Sequence, residues 1–146
     1  MSEGASRPPL GFERFRRRAQ GLLEDRGKLR ELGERAMARI DLRGARIGDV
    51  VEDLQTLVRL MNAWVRADYR EVPRSSIVVV IAGILYFVVP TDLIPDFIVA
   101  VGYLDDVAVI SWVARELHKE LEAFRAWESR EDAMETFIGR SPLRDD

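Results

Sequence analysis

The sequence of 146 residues contains no cysteine, which excludes disulfides and thiolate metal sites. It shows no signal-peptide pattern at its N-terminus, so a reducing, cytoplasmic-side setting is the default expectation. Glycine-rich phosphate loops, nucleic-acid-binding motifs and the regular ligand series of an EF-hand are also missing. His118 is the only histidine, and with Glu122 one turn later it reads as a surface i,i+4 contact rather than a catalytic dyad. No motif that would activate a nucleophile surrounds Ser75, Ser76 or Ser111. These absences argue against an enzyme and leave no organic cofactor to expect.

What is present is enough apolar material for one core: 47% of the residues are hydrophobic, in a chain of single-domain length. The net charge of −3 is unevenly spread. Residues 1–46 carry 12 Lys and Arg against 7 Asp and Glu, whereas residues 47–146 carry 10 against 18, so the two parts stand at +5 and −8. Because the N-terminal cations alternate with glutamates, a solvated or lipid-facing helix surface is expected there, and no nucleic-acid partner.

Hydrophobic periodicity predicts helices along the chain. Leu10, Phe12, Phe15, Ala19, Leu22 and Leu23 recur at helical spacing beside Arg14, Arg16, Arg17 and Arg18. Gly27 is read as an interruption, after which Leu29, Leu32, Ala36, Met37 and Ile40 continue the rhythm until Gly44 and Gly48 signal a turn. A third stripe comprises Val50, Val51, Leu54, Leu57, Val58, Met61, Trp64 and Val65. The run 77–89, IVVVIAGILYFVV, is different: it is apolar on every side and carries no charge. As a helix it spans roughly 20 Å, short of the ~30 Å hydrocarbon core of a bilayer. The expected fold class is therefore all-α, a small helical bundle around a central apolar, proline-broken helical hairpin. By composition the chain divides into a basic amphipathic region 1–45, a helical core 46–127 containing the hairpin 77–113, and a polar tail 128–146.

The hairpin turn carries the most distinctive residues. Pro90 and Pro95 remove backbone donors and break the helix. Thr91, Asp92, Asp96, Gly102, Asp105 and Asp106 lie between and after them, in the order PTDLIPDF followed by GYLDD. This signature resembles that of the bacterial YkvA-like family, the DUF1232 domain, over roughly residues 77–112. The resemblance implies a membrane-associated helical hairpin and no assigned catalytic activity.

Three readings of the aspartates stand side by side. Carboxylates in so apolar a segment need partners, since an unpaired buried charge costs several kcal/mol. Capping of helix ends and turns by Thr91, Asp92, Asp96 and Asp105 is the first reading, each cap contributing about 1 kcal/mol. A hard-cation site for Mg²⁺ or Ca²⁺ on Asp92, Asp96, Asp105 and Asp106 is the second. Ion pairs with Arg70, Arg74 or an N-terminal arginine are the third. A hydrolase using Asp92 and Asp105 as paired carboxylates is the enzymatic alternative.

Arg70 and Arg74 before the hairpin, and Arg115 and Lys119 after it, place positive flanks on one side, as for a re-entrant or interfacial insertion at the cytoplasmic face. The basic first helix, with Phe12 and Phe15 opposite its arginines, is expected to lie on an anionic leaflet. The leading expectation is thus a non-enzymatic, membrane-associated helical protein whose partners are membrane lipid or another helical protein, with homo-oligomerisation open. A soluble cytoplasmic adaptor, in which the amphipathic stripes wrap the 77–89 helix, and a divalent-cation-binding protein are the alternatives.

Overall fold

The computed structural model describes residue 8, residues 11–88 and residues 106–139. Among these, six α-helices and one 3₁₀ turn account for the regular structure and no strand occurs, so the chain folds as an all-α bundle. The helices are α1 (Phe12–Leu22), α2 (Arg26–Ile47), α3 (Val51–Val65), α4 (Arg74–Val88), α5 (Asp106–Glu116) and α6 (His118–Gly139), with the 3₁₀ turn Gly48–Val50 before α3.

Gly11 precedes α1 in the left-handed region, at φ 84°, a conformation that glycine adopts without a Cβ penalty. Phe12, Phe15, Ala19 and Leu23 point into the core, while Arg14, Arg17 and Arg18 are exposed. Phe12 and Phe15 thus lie opposite the exposed arginines. At 0% and 7% exposure, both rings are committed to the protein's own interior, and only the arginine face remains outward.

The break between α1 and α2 lies at residues 23–25 rather than at Gly27, because Asp25 supplies the cap. Its carboxylate accepts a hydrogen bond from the Lys28 backbone N–H at 3.1 Å, satisfying one of the orphan donors of α2. Gly27 then sits inside the first turn. Gly44 does not end α2 either; the helix continues to Ile47, and Gly48 opens the turn. Leu29, Leu32, Ala36 and Ile40 are buried, but Met37 departs from the expected stripe and stays 38% exposed. A Cβ at Gly33 would lie 2.8 Å from Asn62 Oδ1, so a glycine there is what lets α2 and α3 approach each other.

On α3 the predicted stripe is buried except for Val51, which is half-buried. The helix ends where Ala67 takes φ 64°, and the N–H groups of Asp68 and Tyr69 both reach back to the Ala63 carbonyl, at 2.9 and 3.3 Å. That pattern satisfies a carbonyl the helix would otherwise leave bare.

Helix α4 is the central element, as the apolar run 77–89 suggested. From Ser76 to Val88 only Val79 is not fully buried. It packs chiefly on α1, and also on α2, α3 and α5. A helix surrounded on every side needs no polar face, which explains why its sequence lacks helical amphipathicity.

Leu117 joins α5 to α6 with little interruption: its N–H donates to the Val113 carbonyl at 2.9 Å, and its own carbonyl accepts from Leu121 N–H at 2.8 Å. Leu121, Phe124 and the half-buried Trp127 fix the first half of α6 to the body, with Tyr69 against both rings at 5.1 and 5.0 Å. Residues 129–137 are all exposed. The compositional boundaries at 45/46 and 127/128 both fall within helices, α2 and α6, which run through them unbroken.

Candidate functional site

The signature segment is flanked by α4 and α5, and these two helices pack directly on one another. A Cβ on Gly83 would meet Val113 Cγ2 at 3.1 Å, so no larger side chain fits between them without displacement. Helix α1 lies across both: Phe12 meets Trp112 of α5 edge-on, with ring centroids 5.0 Å apart, and Phe15 meets Tyr86 of α4 at 5.1 Å. Such ring pairs contribute about 1 kcal/mol each beyond the area they bury. The outward arginines of α1 are thereby attached to the last turn of α4, where the chain runs into the signature.

Of the residues singled out in the sequence, Pro90, Thr91, Asp92, Pro95, Asp96, Gly102 and Asp105 lie outside the described residues, as does the proline-broken turn itself. Asp106 is the first residue of α5. Among the described residues, no three His, Cys, Asp or Glu side chains gather as they would around a metal ion.

Among the described residues, Arg70 and Arg74 have the following partners. Arg70 donates through Nε to the Trp64 carbonyl at 2.8 Å, and its guanidinium lies over the Trp64 ring, 4.3 Å from the centroid. Arg74 pairs with Glu24 at 2.7 Å across exposed surface. His118 contacts Glu122 at 3.1 Å with both side chains exposed, the i,i+4 arrangement read from the sequence. Ser76, buried, donates to Glu120 at 3.1 Å and so ties α4 to α6.

A well-connected polar group among the described residues was not singled out in the sequence. Thr56, with 0% exposure, donates its hydroxyl to the Glu52 carbonyl at 2.9 Å and accepts from both Arg59 and Arg125, at 3.2 and 3.1 Å. Arg125 also reaches Asp53 at 3.0 Å, and Arg59 holds Glu128 by two bonds of 2.7 and 3.2 Å. These bonds clamp α6 to α3. Charge-assisted, two-pronged contacts of this kind are among the stronger side-chain hydrogen bonds. In sequence, Asp53 and Arg59 look like the solvated back of an amphipathic helix, and their partners lie about 70 residues away.

Beside the clamp is an open groove of about 640 Å³, with Asp53, Ser111, Arg115, His118 and Arg125 on its walls. A second groove, of about 440 Å³, separates α2 from α3 and is lined by Arg30, Gly33, Glu34, Met37, Asn62 and Arg66 among others. Elsewhere, the Tyr69 phenol is pushed above its ordinary value of 10.0, first by burial and then by the nearby Glu71 and Glu120 carboxylates, with Arg130 pulling the other way.

A family model described as "Protein of unknown function (DUF1232)" matches residues 76–112. The chain is also 31% identical over 77 residues to the "Uncharacterized membrane protein YkvA" of Bacillus subtilis (strain 168), an alignment covering 53% of this chain and 73% of that protein. The chain belongs to the YkvA-like DUF1232 family. The DUF1232 match takes in nearly all of α4, the whole signature segment and α5 as far as Trp112. It therefore takes in the buried centre of the bundle, while the clamp and both ends of the described chain lie largely beyond it. No solved structure matches the chain. No described helix of this DUF1232 protein is long and apolar enough to cross a membrane. At the ~1.5 Å rise per residue of a helix, α4 is roughly 22 Å long, against a hydrocarbon core of ~30 Å.

Proposed function

We propose that this DUF1232 protein is a non-enzymatic, membrane-associated helical protein that rests on the anionic, cytoplasmic leaflet. In this reading the helical body holds the signature segment 89–105 at the interface, and the exposed arginines of α1 supply the electrostatic attraction. The observation that carries the proposal is the position of α1. Arg14, Arg17 and Arg18 face outward from a helix whose inner rings sit on Tyr86 and Trp112, beside the two helices that flank the signature. Near an anionic surface each such cation contributes about 1 kcal/mol, attenuated within a Debye length. The signature adds apolar residues, and its aspartates serve to secure its backbone. The name of the Bacillus relative, a membrane protein, points the same way.

The test is flotation of the full chain with vesicles of neutral phosphatidylcholine, with and without phosphatidylserine. Binding should require the anionic lipid, decline with added salt and be lost when Arg14, Arg17 and Arg18 are all replaced by glutamate. Asp92→Asn and Asp96→Asn should leave it intact. Full recovery of the wild-type chain in the soluble fraction with every vesicle composition would sink the proposal.

The burial of α4 by its neighbours from Ser76 to Val88, Val79 apart, favours a second reading, a soluble helical adaptor, because the most apolar helix already has protein on nearly all sides. Failure to float, together with a monodisperse detergent-free species, is the result that reading expects.

A further inference from the structure

Three large apolar side chains are exposed on the described surface: Met37, Met134 and Phe137, at 38%, 57% and 75%. They fall in two places of opposite charge. Met134 and Phe137 lie on the outer half of α6, one turn apart, on a stretch carrying Glu131, Asp132 and Glu135 against Arg130 alone. Met37 lies in the groove between α2 and α3, whose charged walls are Arg30, Arg66 and Glu34. The acidic helix with its apolar edge is complementary to a groove that carries two arginines to one glutamate, Arg66 also pairing with Asp68 at 3.0 Å, around an exposed methionine.

We propose that two copies of the chain associate by exchanging these elements, the outer half of each α6 seating Met134 and Phe137 over Met37 in the α2–α3 groove of the other copy. The fold places both elements where a two-fold exchange needs them. Glu128 of α6 is held by Arg59 of α3, and residues 129–137 beyond it are exposed. Arg66 follows Arg59 by seven residues, two turns of helix, and so lies on the same side of α3 at the rim of the groove. The protruding half of α6 and the groove thus share a face, as a self-complementary contact requires. The pairing would cover the exposed Phe137 with a methionine thioether, a favourable sulfur–aromatic contact, and set Glu131, Asp132 and Glu135 near Arg30 and Arg66.

Sedimentation velocity on the full chain, over a range of concentrations, tests the association. The wild type should dimerise reversibly, and Phe137→Glu should weaken the dimer by about tenfold or more, as expected for a buried aromatic anchor. Glu131→Arg with Glu135→Arg should do the same, as should Arg30→Glu with Arg66→Glu, whereas all four changes in one chain should restore association. All these positions are exposed, and helicity by circular dichroism should be unchanged. Because the chain has no cysteine, a Met37→Cys chain mixed with a Phe137→Cys chain offers an unambiguous cross-link, and the disulfide should join unlike chains. A wild type that is monomeric at all concentrations overturns the proposal, as does a dimer indifferent to Phe137→Glu or an absent cross-link. A monomer whose vesicle flotation falls on Phe137→Glu also overturns it, and assigns the outer half of α6 to lipid instead. Flotation lost only through the α1 arginines leaves this result unaffected, so the two proposals fail separately.

Discussion

Helices α4 and α6 are held in opposite ways. Between Ser76 and Val88, α4 has a single residue that is not fully buried, and its position is set mainly by apolar packing, with the Ser76–Glu120 hydrogen bond at its N-terminal end. Helix α6 is longer, but Leu121 and Phe124 are its only fully buried residues among those described, and it is fixed by Thr56, Arg59 and Arg125 through directed polar bonds. The first kind of attachment is strong and indifferent to orientation; the second is weaker and specifies register. The bundle thus has a hydrophobic centre, coinciding with the DUF1232 match, and a peripheral helix placed by hydrogen bonds.

The contrast can be broken most sharply at its centre. Ile84, fully buried in α4, should cost about 2–5 kcal/mol when cut to alanine, as for other large-to-small core changes. Phe137→Ala, on the outer half of α6, should stay within about 0.5 kcal/mol in dilute monomeric protein. Urea denaturation of both variants gives the comparison directly, and equal losses would remove the distinction. Next in size is Gly83→Leu, which forces a side chain against Val113 and should cost about 1–3 kcal/mol by overpacking. Unchanged stability there would mean that α4 and α5 separate easily.

At the clamp, Thr56→Val keeps the volume and removes the hydroxyl that both guanidiniums use. A loss of about 1–2 kcal/mol is expected, with the amide exchange of α6 accelerated more than that of α4. Uniform acceleration would show that the two helices open together.

The smallest effect is the dependence on pH at Tyr69, which packs against Phe124 and Trp127 of α6. Burial raises the folded pKa above 10.0, so the folded state holds the phenol proton more tightly than the unfolded chain does. That contribution is complete below pH 10 and is lost as pH rises through the folded value. Melting temperature followed from about pH 8 to about pH 11 should fall less steeply in Tyr69→Phe than in the wild type. Parallel curves would dissociate Tyr69 from the alkaline loss.

The all-α class and the central position of 77–89 were legible because both rest on local pattern: apolar spacing, and an apolar run too short to span a bilayer. The α3 stripe was legible for the same reason. The α1–α2 break was misplaced because Gly27 is a conspicuous residue, whereas the determining feature is Asp25 capping the next helix. Met37 matched the periodicity of α2 yet lies beside a groove, since periodicity cannot say whether a neighbouring helix covers the end of a stripe. The Thr56 clamp was invisible because it depends on which turn of α3 meets which turn of α6, a matter of tertiary register. The signature was found through its residues, and the family match at 76–112 supports that recognition; the geometry of its prolines and most of its aspartates lies outside the described residues.

The close approach of Gly83 to Val113 has a consequence in chain entropy. Once α4 and α5 are locked together, the two points where the chain leaves and re-enters the described body, at residues 88 and 106, are fixed relative to one another. The chain entropy lost in holding those two points together is therefore offset by apolar packing between the flanking helices.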